Sequence, residues 1–186
     1  MRYEQLTVKA VEALEAAQEK AVGVGHAQVE PLHLLVALIE QGQDGGVVGP
    51  ILEKVGAHVA RVRQIAEAEL SRRPRASGGQ TVMAAELQQV LEAAQKQADR
   101  LKDKYISCEH LLLALAEVAS DAKKVLAMAG ASPEAILAAM KDIRGGEWTN
   151  PLNVVEVIPE PATLSLLALG GMALMRRRRQ GLLRLE

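Results

Sequence analysis

His33-Leu34-Leu35-Val36-Ala37-Leu38 recurs 77 positions later as His110-Leu111-Leu112-Leu113-Ala114-Leu115. The same offset carries Leu14-Glu15-Ala16-Ala17-Gln18 onto Leu91-Glu92-Ala93-Ala94-Gln95, and Glu40 onto Glu117. Further along, Val55-Gly56-Ala57 matches Ala129-Gly130-Ala131 at an offset of 74, and the loop 41–49 can absorb the three-residue difference. A self-match sustained at one period marks a duplicated supersecondary unit, so two copies of one unit are expected.

Each copy reads as four helices. In the first, Val11, Leu14, Ala17 and Ala21 give a helical stripe over 7–22, with Thr7 as N-cap. A helix over 31–40 follows, with Pro31 in its first turn. Two more are expected near 47–55 and 58–71. In the second copy the helices fall near 84–102, 108–117, 122–129 and 132–143. Ser107 stands at one start, and Ser132-Pro133-Glu134 at another. Residues 72–80 and 145–158 read as linkers, rich in Gly and Pro and without periodicity.

Composition agrees with helices. Aromatic residues make up 2% of the chain, namely Tyr3, Tyr105 and Trp148 with no Phe, so the core must be built from Leu, Val, Ile, Ala and Met. Net charge is −1, but residues 176–186 alone carry +4 from five Arg and one Glu, leaving the remainder near −5. No basic face with interleaved aromatics is visible, which argues against a nucleic-acid partner. Cys108 is the single cysteine, so no internal disulfide forms. The N-terminus Met1-Arg2-Tyr3-Glu4-Gln5-Leu6-Thr7 has no apolar stretch of the kind a signal peptide needs.

The C-terminal part differs from the rest. Pro159-Glu160-Pro161 precedes a 14-residue uncharged run, 162–175, closed by Arg176, Arg177, Arg178 and Arg179. The prolines hold the chain extended, so a helix starts only after them. At 1.5 Å per residue the run spans about 21 Å, short of the roughly 30 Å hydrocarbon core. The arginines favour the cytoplasmic side. A weakly held, cleavable anchor is the expectation. This string resembles the PEP-CTERM sorting signal, which implies an exosortase-type processing enzyme and membrane lipid as partners.

Val29-Glu30-Pro31-Leu32-His33-Leu34-Leu35, paired with Tyr105-Ile106-Ser107-Cys108-Glu109-His110-Leu111-Leu112, resembles the double Clp N-terminal repeat. Ile143-Arg144-Gly145-Gly146-Glu147 resembles the end of that domain in ClpB. The resemblance implies a pseudo-twofold all-α globule that captures unfolded or aggregated polypeptide, or a Clp adaptor, ahead of AAA+ rings. It also implies that Thr7, Asp103 and Glu109 flank an apolar groove between the repeats. The residues themselves admit a plainer reading: Thr7 caps a helix, Asp103 lies in a loop, and Glu109 in a first turn suits the helix dipole. In related ClpC-type domains, matching Glu and Thr residues in both repeats bind phosphoarginine. Here the partners of Glu109 and Thr7 are Leu32 and Ala84, so two symmetric anion sites are not expected.

No Gly-x-x-x-x-Gly-Lys-Ser/Thr exists, and no Gly-Lys pair, so no nucleotide partner and no cofactor is expected. His26, His33, His58 and His110 lack the spacing of a metal set, and His33 and His110 are expected to cap helices. Cys108 and His110 stand two apart and do not face each other on a helix, which disfavours a nucleophile. Met128, Met140, Met172 and Met175 are expected as packing or lipid-facing residues.

The sequence therefore predicts an all-α fold, a pseudo-twofold pair of four-helix repeats, plus a C-terminal single membrane helix. The domain is 1–144, with repeats about 1–71 and 81–144. A linker over 145–158, a membrane and sorting segment over 159–180 and a tail over 181–186 follow. The expected function is non-catalytic protein binding, tethered or sorted to the membrane or cell envelope of a Gram-negative-type bacterium. One alternative is an exosortase-sorted envelope protein whose globule is structural and binds no client. A cytoplasmic, tail-anchored location is the alternative topology.

Overall fold

The computed structural model describes residues 3–43, 45–75 and 81–145. Eight α-helices occur among them: α1 (Val8–Val24), α2 (Pro31–Gln43), α3 (Val48–Lys54), α4 (Val59–Ser71), α5 (Ala85–Leu101), α6 (Cys108–Glu117), α7 (Asp121–Met128) and α8 (Pro133–Gly145). They fall four to a repeat, close to the predicted bounds. Among the described residues no helix is long and apolar enough to cross a membrane. The expected membrane segment, 159–180, lies outside the described residues, as do Pro159, Glu160, Pro161 and Arg176–Arg179.

α2 and α6 form the centre. Every residue from Pro31 to Ile39 is buried, and so is every residue from Cys108 to Ala116 except the half-buried Glu109. A helix apolar all round must be enclosed by others. α2 packs on α1, α3, α4, α5, α6 and α7, and α6 packs on α1, α3, α5, α7 and α8. Leu34, Leu35, Leu38, Leu111 and Leu112 are fully enclosed, each worth about 1.5–3 kcal/mol of transfer free energy.

α1 buries a narrower stripe than its pattern suggests. Ala10, Ala13, Ala17 and Ala21 face inward, while Val11 and Leu14 are only partly covered. The small side chains let α1 lie close to α2. α5 buries larger groups in the equivalent place, including Leu87, Val90 and Leu91. Met140 is in the core, as expected, but Met128 at the end of α7 is 75% exposed. It is the last residue of that helix.

Short strands were not legible in the sequence. β1 (Gln28–Val29) pairs in parallel with β2 (Val82–Met83), and Leu6 forms an isolated parallel bridge with Ile106. These are repeat equivalents: the offset of 77 carries Leu6 to Met83 and Val29 to Ile106. Thr7 N–H donates to the Ile106 carbonyl at 2.9 Å, and Ala84 N–H to the Val29 carbonyl at 3.0 Å. Each repeat thus pairs the entry to its first helix with the entry to the other repeat's second helix. Such reciprocal exchange is what a twofold relation between two copies produces. Two-residue strands carry no alternation to read, which is why periodicity missed them.

Gly56 and Gly130 close the third helix of each repeat at φ 87° and 76°, a region open to glycine without penalty.

Candidate polypeptide-binding site

Asp103, Glu109, His110 and Arg144 meet where the loop before α6 packs against the end of α8. Glu109 sits in the first turn of α6 and Asp103 just beyond α5. Arg144, in the last turn of α8, brings one guanidinium nitrogen, Nη2, to both carboxylates: Asp103 Oδ2 at 2.7 Å, and Glu109 Oε1. Burial pulls the Arg144 pKa down, and the bonds to Glu109 and Asp103 more than offset this, leaving it raised.

His110 ties the same loop from inside. Its Nδ1 accepts the Ser107 N–H at 3.0 Å. This is the returning half of a capping box, with histidine in place of Glu or Gln. With Nδ1 accepting, the ring proton sits on Nε2 and donates to Asp103 Oδ2 at 3.0 Å. Burial lowers the His110 pKa against the opposing pull of Glu109 and Asp103, so the ring is neutral.

The structure therefore brings Asp103 and Glu109 together through Arg144. Thr7 reaches the same loop through its backbone bond to Ile106, while its hydroxyl accepts the Ala10 N–H at 3.3 Å as the N-cap of α1. Sequence reasoning missed Arg144 as a partner. Its signals were its place at the end of a helical pattern and within the stretch that resembles the end of the family domain.

Asp103, Glu109 and His110 offer three ligand atoms within 4.8 Å of one another. Arg144 already supplies the positive charge there, and a guanidinium between the carboxylates competes directly with a metal ion. The expectation of helix-capping histidines is met at both repeats, since His33 Nδ1 accepts the Glu30 N–H at 3.0 Å.

Cys108 is enclosed. Its thiol donates to Gln41 Oε1 at 3.2 Å, and burial pushes its pKa up to about 12. Gln41 Nε2 donates in turn to the Lys9 carbonyl at 3.0 Å. These bonds fill one seam between the repeats. At the equivalent seam, where Pro31 stands for Cys108 and Glu86 for Lys9, an open cleft of about 560 Å³ remains, lined among others by Glu30, Arg73, Asp121 and Lys124. Arg73 crosses it, pairing with Glu30 at 2.9 Å and with Asp121. Most of the residues lining the cleft are polar or charged, unlike the apolar groove expected beside Thr7, Asp103 and Glu109.

Residues 5–143 match the Clp repeat (R) N-terminal domain family, and residues 157–179 the PEP-CTERM protein-sorting motif. The chaperone protein ClpB of Rhodopirellula baltica is 40% identical over 145 residues, 77% of this chain and 16% of that protein. The chain thus spans about a sixth of that relative's length. The Hsp104 N-terminal domain of Candida albicans superposes with a TM-score of 0.66 at 25% identity, covering 76% of this chain and 92% of that one. A ClpV N-domain in complex with a VipB peptide superposes at 0.62 with 19% identity, covering 76% and 88%, a likeness of fold alone. The duplicated four-helix unit and the match over most of its length make this chain a member of the Clp repeat N-terminal domain family.

Proposed function

We propose that residues 1–144 act as a non-catalytic polypeptide-binding module, and that residues 159–180 direct it to the membrane or cell envelope. The observation that carries this reading is the order of two matches in one chain, a Clp N-terminal domain over 5–143 and a PEP-CTERM motif over 157–179. A neighbour of the same fold, the ClpV N-domain, has been solved with a VipB peptide. By analogy the client here is an unfolded or aggregated segment, or a Clp adaptor. Thr7, Asp103 and Glu109 are its proposed polar anchors, and residues 145–158 link globule to tail. An exosortase-type enzyme and membrane lipid are the partners proposed for the tail.

A second reading, a globule that binds no client and serves as an envelope component, is favoured by one specific feature. Asp103 and Glu109 already share Arg144. A client must therefore exchange with that arginine or contact the cluster as a whole.

Fractionation tests the sorting half. The full chain is expected in the membrane fraction, and the chain lacking 159–186 in the soluble fraction. If the truncated chain stays with the membrane, the role given to the tail is wrong.

A further inference from the structure

The two repeats solve one problem with different chemistry. Position 26 in the first repeat corresponds to position 103 in the second. Asp103 accepts the His110 Nε2–H, and at the equivalent place His26 Nδ1 lies 2.8 Å from His33 Nε2. Both histidines of this pair are buried, at 5% and 1% exposure.

Hydrogen-bond counting fixes the protons. His33 Nδ1 accepts the Glu30 N–H, so its proton sits on Nε2 and points at His26 Nδ1. His26 then carries its own proton on Nε2, which is buried without a partner. Two protons fill the available bonds. A third on His33 Nδ1 faces the Glu30 N–H donor. A third on His26 Nδ1 faces the His33 Nε2–H donor. Either position breaks a bond. In the second repeat a proton added to His110 Nδ1 would likewise face the Ser107 N–H, but the Asp103 carboxylate opposite Nε2 offsets part of the added charge.

The charges around the pair do nothing to welcome a proton. Lys20 of α1, itself paired with Glu40 of α2 at 2.6 Å, and Arg73 beyond α4 both oppose it. Arg75 lies against His26 through a backbone bridge. Glu30 and Asp121 of α7 are engaged by Arg73. Burial is the largest cause of the His33 pKa falling from 6.5 to about 4, with His26 next.

The pair is also placed to act on the joint between repeats. The His26 carbonyl accepts the Thr81 hydroxyl at 3.0 Å, and the adjoining Ala27 carbonyl accepts the Val82 N–H at 3.0 Å. His26 and His33 thus bracket β1, whose only strand partner among the described residues is β2 of the other repeat.

We propose that the His26–His33 pair is an acid-sensitive latch on the β1–β2 seam, closed while both rings are neutral and opened when the pair takes up a third proton. The seam joined by Leu6 and Ile106, backed by His110 with the Asp103 carboxylate opposite it, is the less sensitive of the two.

Amide hydrogen exchange on the full chain tests the latch. The opening constants of the Val82 and Ala84 amides, corrected for intrinsic exchange, are compared between pH 6.5 and 4.5 with that of the Thr7 amide. One ring going from about 4 when closed to 6.5 when open gives a rise on the order of 30-fold for Val82 and Ala84. Thr7 is expected to change less than threefold. His33→Gln keeps an acceptor for the Glu30 N–H and a donor for His26 but does not titrate, so its Val82 and Ala84 values should stay within about twofold. Nitrogen chemical shifts of the rings in the unsubstituted chain give a second readout, with His33 as the neutral Nε2–H form down to pH 5. The latch is refuted if Val82 and Ala84 open equally at the two pH values, if His33→Gln retains the full pH dependence, or if His33 is protonated at pH 6.

Discussion

Ala84 donates its backbone N–H to the Val29 carbonyl at 3.0 Å, across the boundary between the repeats. Thr7 makes the reciprocal bond to Ile106 at 2.9 Å. Neither repeat completes its own backbone pairing, and the largely buried α2 and α6 each depend on helices from both copies. A fragment of residues 1–75 is therefore expected to show no cooperative thermal transition by circular dichroism. A sharp melt from that fragment would mean the repeats are independent units.

Lys102 caps α5 in the left-handed region at φ 60°, where the equivalent residue of the first repeat is Gly25 at φ 81°. A side chain there is strained by about 1 kcal/mol. Lys102→Gly is expected to stabilise the chain by roughly 0.5–1 kcal/mol in chemical denaturation. Destabilisation would indicate that the lysine side chain has a compensating contact.

Thr7 accepts the Ala10 N–H, whereas its counterpart Ala84 offers α5 no side-chain cap. Thr7→Ala is expected to cost about 1 kcal/mol of stability. Thr7→Ser, which keeps the oxygen, should restore most of it. A loss of client binding in Thr7→Ala without recovery in Thr7→Ser would give the methyl group a role in contact.

The eight helices were legible because each carries a 3.6-residue stripe between Gly, Pro, Ser or Thr signals, and because the second copy repeated the reading of the first. The seam was not legible. Val29 and Met83, or Leu6 and Ile106, are isolated residues whose pairing depends on how two copies dock. The candidate site was half legible. Asp103 looked like a loop carboxylate open to a client, yet it accepts from buried His110 and pairs with Arg144. An ion pair between α8 and a loop more than 30 residues earlier leaves no local trace. His26 is similar: only superposing the repeats sets it opposite Asp103 and exposes the different chemistry.

Burial raises the Cys108 thiol from 9.0 to about 12. Its thiolate fraction should climb tenfold per pH unit through the range 8–11, without the plateau of an ordinary thiol above 9. Alkylation of the folded chain at pH 8 is expected to run at least about 100-fold slower than that of the unfolded chain. Comparable rates in the two states would show Cys108 to be open to solvent.

The central claim is capture of polypeptide at Thr7, Asp103 and Glu109, and the most direct test is affinity. Because Asp103→Ala strands the buried His110 Nε2–H, which costs about 1–3 kcal/mol, Asp103→Asn with Glu109→Gln is the sounder variant. It keeps an acceptor for His110 while removing both charges. Fluorescence anisotropy with a permanently unfolded model protein is expected to detect binding by the full chain. The double variant should bind at least fivefold more weakly, about 1 kcal/mol, with a melting temperature within a few degrees. No binding by the unsubstituted chain, or equal affinity in a stably folded double variant, would contradict the account.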